Sequence, residues 1–218
     1  MRIRKFKNPY IDEITKFEEV ISDEEDFLKR KSSFVYPVVL DIGCGNGEVL
    51  AHLASSNPDK FYLGFELQYK EVYRTVSKIR RLALHNCKVA RVDAERIPDL
   101  FDKHQISEVN IFFPDPWPKT SQQKHRLIKK AFIADLIKKM RKGDLIKIKT
   151  DNDDYFLQIL NAVYAVASDN KIKILELTRD YHHSNLNKGQ YITPFERIFI
   201  RQGLLINYIS CVVSDIGQ

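Results

Sequence analysis

The middle of this chain switches repeatedly between two hydrophobic periods, and that alternation limits the fold more than any single motif. The runs "YPVVLDIG" (36–43), "KFYLGFEL" (60–67), "CKVARVD" (87–93), "EVNIFF" (108–113) and "DLIKIKT" (144–150) read as strands. Each is short, rich in β-branched or aromatic residues, and bounded by Gly, Pro, Asn or Asp. Between them, "EVLAHLASS", "YKEVYRTVSKIRRLALH" and "QQKHRLIKKAFIADLIKKM" space their apolar residues at helical period. Strands that alternate with helices of this length form a parallel sheet with helices on both faces. One more helix is expected over 153–168, then a strand "KIKILELT" (171–178), a polar loop, a short helix and a last strand near 204–213. The expected fold is α/β and Rossmann-like, with a mostly parallel sheet of about seven strands. Residues 34–218 are expected to form this domain. Residues 1–33 are expected to be an N-terminal extension, helical or partly mobile.

The 218 residues, 44% hydrophobic, are enough to bury one good core. The three cysteines, Cys44, Cys87 and Cys211, lie far apart and match no metal-ligand spacing. They point to a reduced, intracellular protein without a disulfide framework and without a metal site. The charged start "MRIRKFKNPY" is followed by no apolar signal region, and no run approaches the ~18 apolar residues of a spanning helix. A soluble, cytoplasmic protein is expected. The net charge is +6, unevenly spread. Residues 12–26 are strongly acidic, whereas 119–149 carry eleven Lys or Arg against two Asp. A block this basic suits an anionic partner such as nucleic acid, although solvated helix faces produce the same pattern.

"VVLDIGCGNGEVLAHLA" reads as strand, glycine turn and helix. Gly43, Gly45 and Gly47 lack side chains, so the backbone turns tightly and a ligand can approach it. In open α/β sheets, ligands bind outside the carboxyl ends of the strands. The dinucleotide fingerprint needs a glycine at 48, where Glu48 stands. A pyrophosphate between Asp41 and Glu48 would meet negative charge. S-adenosylmethionine carries a sulfonium, an amine and a ribose, which suit carboxylates. Glu66 ends the second strand and can accept from both ribose hydroxyls. Asp93 ends the third and can accept from the adenine amine. Each acid alone could be a helix cap or a solvated charge, but three at successive strand ends point to methyl-donor binding.

"FFPDPWPK" (112–119) sets three prolines in alternation with Phe113, Asp115 and the sole tryptophan, Trp117. Proline fixes its own φ, gives no N–H, and pushes the preceding residue toward extended geometry. A stiff strap is expected, with Phe113, Asp115 and Trp117 all extended and Asp115 preorganised. It resembles the Asp/Asn-Pro-Pro-aromatic strap of base-amino methyltransferases, where the acid or amide grips the base. A structural turn with a core-packing Trp117 is the plainer alternative.

Together these motifs resemble one family, the tRNA (guanine-N7-)-methyltransferases, which methylate guanine 46 in the variable loop of tRNA. The resemblance covers about 36–213. "LDIGCGNG" is a general methyltransferase signature. "FFPDPWPK" with the basic stretch after it, "TD" (150–151) and "TPFE" (193–196) are specific to the family. The resemblance implies a class I S-adenosylmethionine-dependent fold, in which the acids matching Asp41, Glu66 and Asp93 bind the donor. The aspartate matching Asp115 contacts the donor site and is the proposed catalytic residue. Lys119, Asp151 and the stretch Thr193, Pro194, Phe195, Glu196 match substrate-binding positions. The segment from Ser121 to Arg126 matches one that touches RNA. That segment is usually richer in arginine and histidine, whereas "SQQKHR" offers Lys124, His125 and Arg126. Bacterial members of this length usually act alone, so a monomer or homodimer without an obligate protein partner is expected.

Guanine N7 carries no proton at neutral pH, so its methylation needs no general base. A fixed carboxylate can accept from the guanine N1–H and amine and stabilise cationic charge arriving on the purine. "TPFERIFIRQG" also forms a complete helix signature, with Thr193 at N-cap, Pro194 at N1, Glu196 at N3 and Gly203 past the end. "TDNDDY" likewise reads as an N-cap with an acidic first turn. The rival readings are a methyltransferase for another nucleobase or a small molecule, and a non-catalytic RNA-binding Rossmann-like protein. A dehydrogenase fits least.

Overall fold

The structure, a computed structural model, describes residues 8–187 and 191–214. In chain order its strands are β1 (Val20–Ile21), β2 (Val38–Ile42), β3 (Phe61–Phe65), β4 (Cys87–Ala90), β5 (Ile106–Phe112), β6 (Met140–Thr150), β7 (Ile172–Thr178) and β8 (Asn207–Val213). The helices are α1 (Tyr10–Ile14), α2 (Glu24–Arg30), α3 (Glu48–Ser56), α4 (Tyr69–Arg81), α5 (Ile97–Leu100), α6 (Lys130–Ile137), α7 (Asp153–Ala167) and α8 (Pro194–Arg201). One sheet runs β1-β4-β3-β2-β5-β6-β8-β7. β8 is antiparallel to both its neighbours, and every other pairing is parallel. The α/β architecture is the expected one, with eight strands where about seven were foreseen.

The additional strand comes from the N-terminal extension. Val20 and Ile21 pair with Val89 and Ala90 of β4 at the sheet edge. Phe27 of α2 is fully buried, its ring 5.3 Å from Phe101 and 5.4 Å from Phe34. Burying one such side chain stabilises by roughly 1.5–3 kcal/mol. The extension, expected to be helical or partly mobile, holds α1 and α2 and also supplies the edge strand β1. Residues 1–7 lie outside the described residues.

Alternation along the strands sorts the core into two layers. Val38, Leu40, Ile42, Phe61, Leu63 and Phe65 face the main core, with α2, α5, α6 and α7. Val39 and Tyr62 face the opposite side, with α3 and the end of α4. Asp41 follows Val39 at period two, so it belongs to the α3–α4 side. No helix among the described residues is long and apolar enough to cross a membrane, and no His, Cys, Asp or Glu group among them could hold a metal.

One expected helix breaks. The stretch from Gln122 to Met140, expected as one continuous helix, instead holds the end of a 3₁₀ helix (Thr120–His125), an irregular link and then α6. Arg126 turns inward at the break and is buried.

Candidate functional site

The glycine turn joins β2 to α3 and is stitched to the end of β3. Gly43 and Cys44 donate their N–H groups to the Phe65 carbonyl at 2.9 and 3.1 Å, and Gly45 donates to Glu66 Oε2 at 3.1 Å. Gly47 caps α3 at φ 71°, a left-handed conformation that side chains resist. A Cβ there would sit 2.6 Å from Thr75 Cγ2. Thr75 in turn donates its hydroxyl to the Gly45 carbonyl at 2.8 Å. Gly43 and Gly45 also have positive φ, yet a Cβ on either would meet nothing within 4 Å. The turn is thus braced from behind and open on the side where a ligand would lie. Gly47→Ala should destabilise the fold by about 2 kcal/mol and lower the melting midpoint by about 5 °C. A thermal melt within error of the wild type would show that the turn adapts.

Three acids stand at the ends of β2, β3 and β4, in three different states. Asp41 is 3% exposed, and its Oδ2 has no hydrogen-bond partner. Burial, and then the nearby Glu66 charge, push its carboxyl up to about 7. Glu66 is half-buried at the end of β3, and its Oε1 accepts from the Gln68 N–H at 2.8 Å. A carboxylate has about four acceptor sites, so these two backbone bonds leave capacity for hydroxyls. Asp93 is exposed after β4 and caps a 3₁₀ turn through the Glu95 N–H. A buried carboxylate with one unpartnered oxygen, a second acid with acceptor capacity and an open backbone turn fit a cationic ligand that bears hydroxyls. They therefore fit S-adenosylmethionine.

The strap leaves β5 beside this turn. Phe113 N–H still donates to the Lys149 carbonyl of β6, at 2.8 Å, before the chain departs. The all-extended expectation is corrected here: Phe113 has φ 56° and Trp117 φ 41°. The chain must leave the sheet and turn back within a few residues. Two pre-proline positions take up that bend in a region costing roughly 1–3 kcal/mol each. Asp115 lies between them and is exposed. Trp117 is half-buried, with its ring 5.4 Å from that of His125.

The expected RNA segment divides. Ser121, Lys124 and His125 are exposed, as is Lys119. Arg126 is 1% exposed and cannot meet RNA, which corrects its assignment. At least six of the eleven cations in the basic block around it, Arg126 included, are paired within the chain. Arg126, Lys129, Lys130, Lys138, Lys147 and Lys149 each pair with a carboxylate. Arg141 lies at the start of β6, at the opposite end of the strands from the strap.

The C-terminal segment is built as a capped helix. Thr193 and Glu196 form a reciprocal capping box, and Pro194 is the first residue of α8. Glu196 Oε1 also binds Lys149 Nζ at 2.9 Å, in an ion pair with both side chains under 5% exposed. Burial pushes the Lys149 ammonium down, and Glu196 opposes that shift. With Oε2 taken by the Thr193 N–H and Oε1 by Lys149, both oxygens of Glu196 have internal partners. A direct substrate bond from the buried Thr193 and Glu196 is therefore corrected to a structural task. Phe195 stands 57% exposed. Asp151 is not the cap of α7, because Asn152 takes that position, accepting from the Tyr155 N–H. Asp151 is half-buried, and burial pushes its carboxyl up.

Three contributors carry no motif. Thr75 is a fully buried polar residue in the apolar stripe of α4, and that interruption is its only sequence signal. Lys149 stands on the face of β6 opposite Ile146 and Ile148, where a charge needs a distant partner. Glu48, in place of the third glycine, joins three elements. It accepts from Tyr191 Oη at 2.8 Å and Arg197 Nη2 at 3.2 Å, and lies 3.7 Å from Lys78 Nζ. The C-terminal segment is thereby tied down beside the glycine turn.

Comparison with known proteins agrees with this geometry. A family described as putative methyltransferase matches residues 36–207. The tRNA (guanine-N(7)-)-methyltransferase of Mycoplasma pneumoniae is 30% identical over 215 residues, covering 96% of this chain and 98% of that protein. The protein of the same name from Bdellovibrio bacteriovorus is 31% identical over 179 residues, covering 82% and 84%. Among solved structures, the 16S rRNA methyltransferase KamB superposes with a TM-score of 0.60 at 15% identity, covering 87% of this chain and 93% of that one, a likeness of fold. On the family match and on relatives at this identity over nearly their whole length, the chain belongs to the tRNA (guanine-N7-)-methyltransferase family.

Proposed function

We propose that this enzyme methylates N7 of guanine 46 in the variable loop of tRNA, by positioning and electrostatics and without a general base. The activity is that of its family: S-adenosylmethionine-dependent methylation of guanine N7 in tRNA. The observation that carries the reading is Asp41, a buried carboxylate with an unpartnered oxygen beside an open glycine turn. When bound, S-adenosylmethionine supplies a methyl group activated by its sulfonium. Asp41 faces the positive charge of the donor, Glu66 accepts from its ribose hydroxyls, and Asp93 accepts from its adenine amine. Asp115, on a strap held outside the end of β5, accepts from the guanine edge and stabilises the charge that arrives on the purine. Asp151 and the exposed Phe195 frame the substrate side, and Lys119, Ser121, Lys124 and His125 meet the RNA. The catalytic unit spans 34–218, and the extension completes the sheet edge. The reading implies a cytoplasmic monomer or homodimer acting without an obligate protein partner.

The test is incubation with unmodified tRNA and methyl-labelled donor, followed by nucleoside analysis. Label in 7-methylguanosine at position 46 is expected. Label in another nucleoside would overturn the substrate, and failure to bind the donor would overturn the enzyme. The RNA face has its own test. Each lost phosphate contact should flatten the salt dependence of tRNA binding by about 0.7–0.9 in log–log slope. Lys119→Ala with Lys124→Ala should therefore flatten it by about 1.5, whereas Arg141→Ala at the far end of the strands should not. Equal effects from both would mean that the strap side is not the RNA face.

A further inference from the structure

Arg126 heads the fully buried side chains by size, and the reaction as described makes no use of it. A buried cation costs several kcal/mol unless paired and hydrogen-bonded. Here every nitrogen of the guanidinium is engaged. Nε donates to the Pro116 carbonyl at 2.7 Å, Nη1 to Gln158 Oε1 at 2.8 Å, and Nη2 to Asp154 Oδ2 at 2.6 Å. Its Cζ lies 4.8 Å from the centroid of the Tyr155 ring. Tyr155 Oη accepts from the Ile128 N–H at 3.1 Å, so α7 holds the chain just after Arg126 as well.

The strap needs such a clamp. Pro114, Pro116 and Pro118 have no N–H, so the strap cannot hold itself to a neighbouring strand. Positive φ at Phe113 and Trp117 persists only where the surroundings impose it. The first anchor is the Phe113 bond to β6, before Asp115. The second is the Pro116 carbonyl, directly after it, and Arg126 is its donor. We infer that Arg126 is a positioning residue, which locks the Pro116 carbonyl against α7 and so holds Asp115 where guanine meets the methyl donor. This rests on the proposed role of Asp115. Charge alone does not suffice for the task. A lysine could pair with Asp154, but only the planar fork reaches Pro116, Gln158 and Asp154 together.

Trp117 makes the clamp measurable. It is the only tryptophan in the chain and sits in the strap, so its emission reports strap geometry independently of catalysis. Arg126→Lys, Asp115→Asn and the wild type would be compared by thermal melt, donor calorimetry, Trp117 emission and single-turnover methylation at saturating donor and tRNA. A folded Arg126→Lys is expected to shift the Trp117 emission and to leave donor affinity unchanged. Its methyl transfer should slow by about 10- to 100-fold, the scale of a small misplacement of a reacting group. If Arg126→Lys does not fold, Gln158→Leu carries the same readouts, since it removes one prong and leaves the arginine. An unchanged Trp117 emission in the folded variant would overturn the clamp. Shifted emission with a normal rate, alongside a slow Asp115→Asn, would overturn the positioning role. A normal rate in Asp115→Asn would instead remove the proposed role of Asp115 and leave the emission result to judge the clamp.

Discussion

Asp115→Asn should slow methyl transfer by about 10- to 1,000-fold at saturating donor and tRNA, the usual loss for one preorganised electrostatic contact. Asparagine keeps the shape of aspartate but replaces a charged acceptor by an amide. It loses one acceptor toward the guanine N1–H and amine, and it loses the negative charge that faces the cationic purine. Because N7 carries no proton to remove, the loss is one of orientation and charge. It should therefore persist when both substrates are saturating, which separates a transition-state effect from weak binding. Asp115 is exposed in the protein alone, so the substitution should leave the melting midpoint close to that of the wild type. Near-normal single-turnover rates in the variant would make Asp115 merely part of a proline turn.

Asp41→Asn should move stability and donor binding in opposite directions. The Asp41 carboxyl is pushed up to about 7, from an ordinary 3.8. Its folded-state pKa lies above the unfolded one, so the folded state binds the proton more tightly. The stability this contributes is complete below about pH 4 and is lost as pH rises through 7. Above pH 7 the ionised Asp41 costs on the order of 4 kcal/mol. Asparagine removes that charge. The variant should unfold at higher temperature or denaturant than the wild type at pH 8, and the gap should close as pH falls toward 4. At the same time it should bind the donor at least about tenfold more weakly, because a charged hydrogen bond contributes roughly 1.5–3 kcal/mol. Calorimetry and pH-resolved melts check both halves. Equal stability at pH 8 would show that Asp41 is not held under strain, and unchanged donor affinity would remove it from the site.

Much of the site was legible because its signals act over a few residues. Gly47 turns left-handed, Thr193 and Glu196 close a capping box, and three acids stand at the ends of three strands. Each follows from backbone preference or from period. The strap shows the limit of that reasoning. Proline chemistry foretold stiffness, but not that Phe113 and Trp117 would bend to positive φ, because the bend is imposed by the bond to Lys149 and the clamp on Pro116.

The sequence alone determined the parallel α/β fold, the glycine turn with its acids, and the place of the strap after the fourth of its recognised strands. These depend on side-chain period, on glycine and proline backbone limits, and on the strand–helix alternation. Tertiary structure alone decided where the charges went. Arg126 turned inward to α7, Lys149 found Glu196 across 47 positions, and the basic block divided between the strap and the far end of the strands. The N-terminal extension entered the sheet beside β4 for the same kind of reason. A charge or an edge strand settles where a partner removes its cost of burial, and here those partners lie tens of residues away along the chain.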